Sequence, residues 1–178
     1  MADEEKTGHG VLVADPSTHM AGLVSAMLRS LGRKEICEAY DAGKTMGELM
    51  RRRFDLVIIN DVLGDMDGVD LTRKLRANPA GPNRLVPIIM ISAAPDAERI
   101  AAARDAGVTE FLRKPFAASH LQMRLDSIAA HPRSFIEAPK FKGPDRRRKT
   151  VNVGDKDRRS DTGTAASAPA QSPSQRPG

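Results

Sequence analysis

Asp15, Asn60 and Ser92 each follow a short apolar run, VLVA, LVII and PIIMI, and Lys114 follows Phe111-Leu112 after one intervening arginine. If they converge, an acid, an amide, a hydroxyl and an ammonium can cradle a small anion or a solvated cation. Other constellations offer less. His9, His19, His120 and His131 lie in different segments with no i, i+4 pair, so neither a zinc site nor a catalytic dyad is supported. GxSxG, P-loop and Gly-rich dinucleotide signatures are absent, so the chain does not read as an enzyme. Acids alternate in DVLGDMDG (residues 61–68), at Asp61, Asp65 and Asp67, but without the ligand spacing and distant Glu of an EF-hand loop. Asp67-Gly68 is expected to turn the chain into a helix. The single cysteine, Cys37, can form no internal disulfide and reads as a small buried apolar side chain, in keeping with a reducing compartment.

These residues need a frame that brings chain positions 15 to 114 to one edge. Short apolar runs alternate with helical patterns five times, the pattern of repeated βα units and a parallel sheet. Strands are expected at 10–14, 35–39, 55–60, 87–92 and 110–112, and helices at 17–31, 41–53, 69–77, 95–106 and 117–130. The first helix carries Met20, Leu23, Val24, Met27, Leu28 and Leu31 at the spacing of one buried face. Asp41 is placed to cap the second helix and Gly107 to stop the fourth. The third strand has four consecutive apolar residues, as a strand covered on both faces should. Right-handed crossovers turn such a chain into an α/β doubly wound sandwich, whose ligands bind beyond the carboxyl ends of the strands. Asp15, Asn60, Ser92 and Lys114 stand there.

The 178 residues leave room for one domain and an appendage. The formal charge of +5 is unevenly distributed. Residues 1–130 carry 17 Lys and Arg against 18 Asp and Glu, while residues 131–178 carry 11 against 5. Rich in Pro, Gly, Ser and Ala, the second part is expected to be a basic, largely disordered tail, with the boundary at His131-Pro132. Residues 1–9 are expected to be a flexible N-terminus. Apolar runs fall short of a bilayer span and the acidic start does not resemble a signal peptide, so a cytoplasmic location is expected. The DRRRK run at 145–149 favours anionic partners, but with only Phe135 and Phe141 nearby a base-stacking platform is not expected.

VLVAD, DLVIINDVLGDMDG, VPIIMISA and AGVTEFLRKPF, in order over residues 10–130, resemble the receiver domain of two-component response regulators. The resemblance implies a flavodoxin-like five-stranded sheet of order 2-1-3-4-5 with helices on both faces. It also implies phosphoryl transfer from a histidine kinase to an aspartate ending the third strand, with Mg²⁺ held by an acidic pair after the first. Ser92 and Lys114 match the residues that bind the phosphoryl group, and Phe111 matches the switch aromatic. Asp15 matches the first member of the acidic pair. Pro16 replaces the second, Asn60 stands at the acceptor position, and Gly64 replaces a common loop proline.

An amide is neither a phosphoryl nucleophile nor a charged metal ligand, and proline supplies no side-chain ligand. The expectation is a phosphorylation-independent pseudo-receiver that works by binding proteins. It requires no cofactor and holds Mg²⁺ weakly or not at all. Its partners would be a histidine kinase or downstream target, or a second copy meeting it through the fourth helix, fifth strand and fifth helix. One alternative is an active phosphoacceptor, using Asp61 or having Asn60 as an engineered replacement for aspartate. Adjacent side chains of a strand diverge, which would turn Asp61 away from the acceptor's place. A second alternative is electrostatic nucleic-acid binding through the tail.

Overall fold

The computed structural model describes residues 9–132, 135–138 and 141–145. Five parallel strands form the central sheet: β1 (Val11–Ala14), β2 (Ile36–Ala39), β3 (Leu56–Asn60), β6 (Ile88–Ser92) and β7 (Glu110–Arg113). Their order is β2-β1-β3-β6-β7, which is 2-1-3-4-5 when the five are counted in sequence. Two short strands, β4 (Val62–Leu63) and β5 (Met66–Asp67), form a separate antiparallel pair within the loop after β3. Two residues are too few to show a strand's alternation in the sequence.

The helices are α1 (Thr18–Ser30), α2 (Ala42–Arg51), α3 (Gly68–Ala77), α4 (Ala97–Ala106) and α5 (Ala118–Ala130). Local chemistry sets most of their starts. Ser17, Asp41, Asp67 and Asp96 each accept a backbone N–H of the first turn, satisfying donors that have no partner inside the helix. Asp96, rather than Pro95, therefore marks where α4 begins. At its end Gly107 adopts φ 102°, the left-handed conformation that favours glycine.

The helices bury two separate cores. On one side Leu49 of α2, Leu71 and Leu75 of α3, and Ala103 and Ala106 of α4 meet Leu12, Val57, Ile59, Ile88 and Met90. On the other, Ala21, Val24 and Leu28 of α1 and Leu121 and Leu125 of α5 meet Val11, Val13, Ile58, Ile89 and Ile91. The alternation along each central strand explains why these strands read as continuous apolar runs. The helices contribute unequally: α3 buries six residues, whereas α4 buries only Ala103 and Ala106. Cys37 is half-buried against the first core. On the edge strand β2, Glu38 is held by the Ser25 hydroxyl at 2.6 Å and the Tyr40 hydroxyl at 2.9 Å.

The segment after Ala130, expected to be largely disordered, contains an antiparallel hairpin of β8 (Phe135–Ala138) and β9 (Phe141–Pro144). β9 lies against α3 and α4. The half-buried Phe135 ring sits 5.9 Å from the Arg76 guanidinium and 5.1 Å from that of Arg84. Isolated aromatics without periodicity gave no sign of this, because their partners are arginines far away in the chain. Residues 1–8 and those beyond Asp145 lie outside the described residues, as do the expectations made for them. Among the described residues no helix is long and apolar enough to cross a membrane.

Candidate functional site

The carboxyl ends of β1, β3, β6 and β7 bring Asp15, Asn60, Ser92 and Lys114 to one edge of the sheet. The Lys114 ammonium donates to Asp15 Oδ2 at 3.1 Å and to Asn60 Oδ1 at 2.9 Å. Lys114 is placed by the ladder itself, since its N–H donates to the Ser92 carbonyl at 2.8 Å. Asp15 is buried, and its Oδ1 accepts the Ser17 N–H at 2.9 Å. The Asn60 amide is used at both ends, because Nδ2 donates to the Val62 carbonyl at 2.8 Å. Pro16 follows Asp15 with no side-chain polar atom.

Asp61 is not turned away from this edge. The ladder ends with its N–H donating to the Ile91 carbonyl at 2.8 Å, and its side chain reaches the neighbouring strand, where Oδ2 accepts the Ser92 hydroxyl. Strand alternation separates the directions of Asn60 and Asp61, but β3 ends at Asn60, so both side chains remain over the carboxyl edge. Gly68 makes the return of the chain possible. A Cβ at that position would lie 2.6 Å from the Asn60 carbonyl oxygen, and the Gly68 N–H donates to the Asp61 carbonyl at 2.9 Å.

Arg99, in the first turn of α4, closes the rim. Its guanidinium contacts both Asp67 oxygens, at 2.5 and 3.1 Å, and donates to the Asp61 carbonyl at 2.7 Å. Burial pushes the Asp67 carboxyl up, but hydrogen bonds from Arg99 and the Val69 N–H, with the Arg99 charge, outweigh it and hold the group below the ordinary carboxylate value. The bond to Asp67 raises the Arg99 pKa in turn. Asp67 and Arg99 are 32 positions apart, and no spacing rule joins them. The available signal was the Asp96 cap, which puts Arg99 in a first turn facing the carboxyl edge.

Residues 11–126 match the family model described as the response regulator receiver domain. The chain belongs to the response regulator receiver family. Chemotaxis protein CheY-3 of Vibrio cholerae is 33% identical over 118 residues, covering 66% of this chain and 89% of the relative. The receiver domain of a sensor histidine kinase from Pseudomonas aeruginosa, solved with a magnesium ion coordinated in its active site cleft, superimposes with TM-score 0.62 at 28% identity, covering 70% of this chain and all of that one. Vibrio cholerae CheY4, crystallised at low pH, gives TM-score 0.62 at 25% identity, covering 67% and 98%. The CheY-like, flavodoxin-like reading of the sequence is thereby established.

In this receiver the donor set differs from a divalent-cation cage. Pro16 offers no side-chain oxygen, the Asp15 oxygens are engaged by Ser17 and Lys114, and Asn60 contributes a neutral amide oxygen already bound to Lys114. Among the described residues no group of three or more His, Cys, Asp or Glu side chains could hold a metal ion. Phe111 lies half-buried against the core shared by α2, α3 and α4.

Proposed function

We propose that this receiver domain signals by protein binding without phosphorylation at its acceptor position. The observation that carries this reading is the Asn60 amide: it occupies the end of β3, 2.9 Å from the Lys114 ammonium, where phosphoryl transfer would need a carboxylate oxygen. Pro16 supports it from the metal side, since Mg²⁺ would lack a second carboxylate to offset the charge building on a transferring phosphoryl group. On this reading the domain turns over no substrate, requires no cofactor and binds Mg²⁺ weakly or not at all. Its partners are signalling proteins, a histidine kinase or a downstream target, and a second copy could meet it through α4, β7 and α5. Arg104, exposed on α4, is a suitable probe of that face, because Arg99 is committed to Asp67 and the Asp61 carbonyl.

One observation favours a second reading. The Asp61 carboxylate accepts the Ser92 hydroxyl, and Ser92 corresponds to the phosphoryl-binding position. Asp61 would then be the acceptor in a histidine-kinase relay. Incubation with a small phosphodonor and Mg²⁺, followed by intact-mass measurement, separates the two. No base-labile gain of one phosphate is expected. A gain that Asp61→Asn abolishes would replace the first reading with the second.

A further inference from the structure

α4 has little apolar attachment of its own. It buries two alanines, and Ile100 on the same helix is 42% exposed. Alanine removes little area from water, so hydrophobic burial fixes this helix less firmly than its neighbours. Polar anchors stand at both ends instead. At the start is the Arg99 bridge to Asp67 and the Asp61 carbonyl. At the end is Arg76 of α3, only 1% exposed, whose fork donates to the Gly107 carbonyl at 3.0 and 3.2 Å, to the Val86 carbonyl at 2.7 Å and to the Arg84 carbonyl. One guanidinium thus ties α3, the 84–86 connection and the cap of α4. Burial, and secondarily the Arg84 charge, lower its pKa to about 10.

The hairpin closes over this anchor. Phe135 stacks against Arg76 and Arg84, Gly143 is buried, and β9 lies along α3 and α4. We propose that the β8–β9 hairpin is a strap that sets the freedom of α4, with Phe135 holding the Arg76 fork against the Gly107 cap and α4 carrying the restraint to Arg99 at the pocket rim. The hairpin then governs the same helix that Arg99 joins to the carboxyl edge of the sheet. The strap does not depend on which residue, if any, accepts a phosphoryl group.

The test uses the full chain with Phe135→Leu, which keeps apolar volume but removes the ring face, and Phe135→Ala as the stronger variant. Amide hydrogen exchange is read over 97–108 and, as reference, over β1 and β3. Losing a half-buried cation–π contact should speed exchange at the α4 end and Val108 by at least about two- to fivefold in the leucine variant, and more in the alanine variant. The reference strands should be unchanged, and the Arg99 Nε–H resonance should move. Unchanged exchange over α4 overturns the proposal. So does an equal rise in β1 and β3, which would make the hairpin a general stabiliser, and so does a stationary Arg99 resonance.

Discussion

On the proposed reading, Asn60 and Asp61 divide between them what phosphoryl acceptance needs in one aspartate. Asn60 has the position, against Lys114, and Asp61 has the charge, against Ser92. Restoring the missing groups should restore the chemistry: Pro16→Asp with Asn60→Asp is expected to take up phosphate from a small donor with Mg²⁺, measured by intact mass. Asn60→Asp alone should take up less, because the cation remains poorly held. Asp67 provides a second residue-level prediction. Its folded pKa lies below the unfolded 3.8, so the Arg99 bridge stabilises the protein above that value and is lost as pH falls through the folded one. Asn at 67 can still cap α3 but cannot pair with Arg99. Asp67→Asn should therefore cost about 0.5–1 kcal/mol at neutral pH after solvent screening. Denaturant melts should show the difference shrinking from about pH 5 toward pH 3.

Among the elements, α4 is held by polar ends and α3 by its apolar face. Arg76 should accordingly resist conservative replacement. Lysine keeps a charge but cannot reach three carbonyls in a plane, so Arg76→Lys is expected to lose roughly 2–3 kcal/mol in chemical denaturation, through acceptors left buried and unpaired. The five strands of the central sheet and the five helices were legible because their causes are local: apolar runs, a cap at Asp41 and a stop at Gly107. Asp15, Asn60, Ser92 and Lys114 were legible because a parallel sheet sends its strand ends to one edge. The Arg99–Asp67 bridge and the seating of Phe135 on Arg76 and Arg84 were not, since both join residues across long separations that only the assembled fold brings together. The contact of Asp61 with Ser92 was not legible either, because it joins two strand ends that are neighbours only in the assembled sheet.

At the scale of the whole molecule, charge is distributed unevenly along the chain. The part of the chain that folds as a receiver is nearly neutral, and the excess of Lys and Arg follows it. Any attraction to nucleic acid should then be of the phosphate-neutralising kind, without base readout. Binding to generic duplex DNA is expected to fall steeply between about 50 and 200 mM salt and to show no sequence preference, as measured by fluorescence anisotropy. Binding that persists at high salt would indicate a specific reader. Arg104→Glu addresses the other surface: sedimentation should show weaker self-association if the α4, β7 and α5 face joins two copies, with the thermal midpoint within a few degrees of the parent.

The placement of Glu38 bears on how these molecules behave when crowded. Among the described residues, β2 and β7 each have one unpaired side, and an apolar strand in that position invites another chain to add on. Glu38, held between the Ser25 and Tyr40 hydroxyls, puts a carboxylate on the face of β2 that α1 covers, where a strand added at this edge would set a side chain beside it. An incoming strand would have to desolvate that charge or break its two hydrogen bonds. The same side chain that completes a small polar cluster therefore also guards the sheet against growing beyond its own five strands.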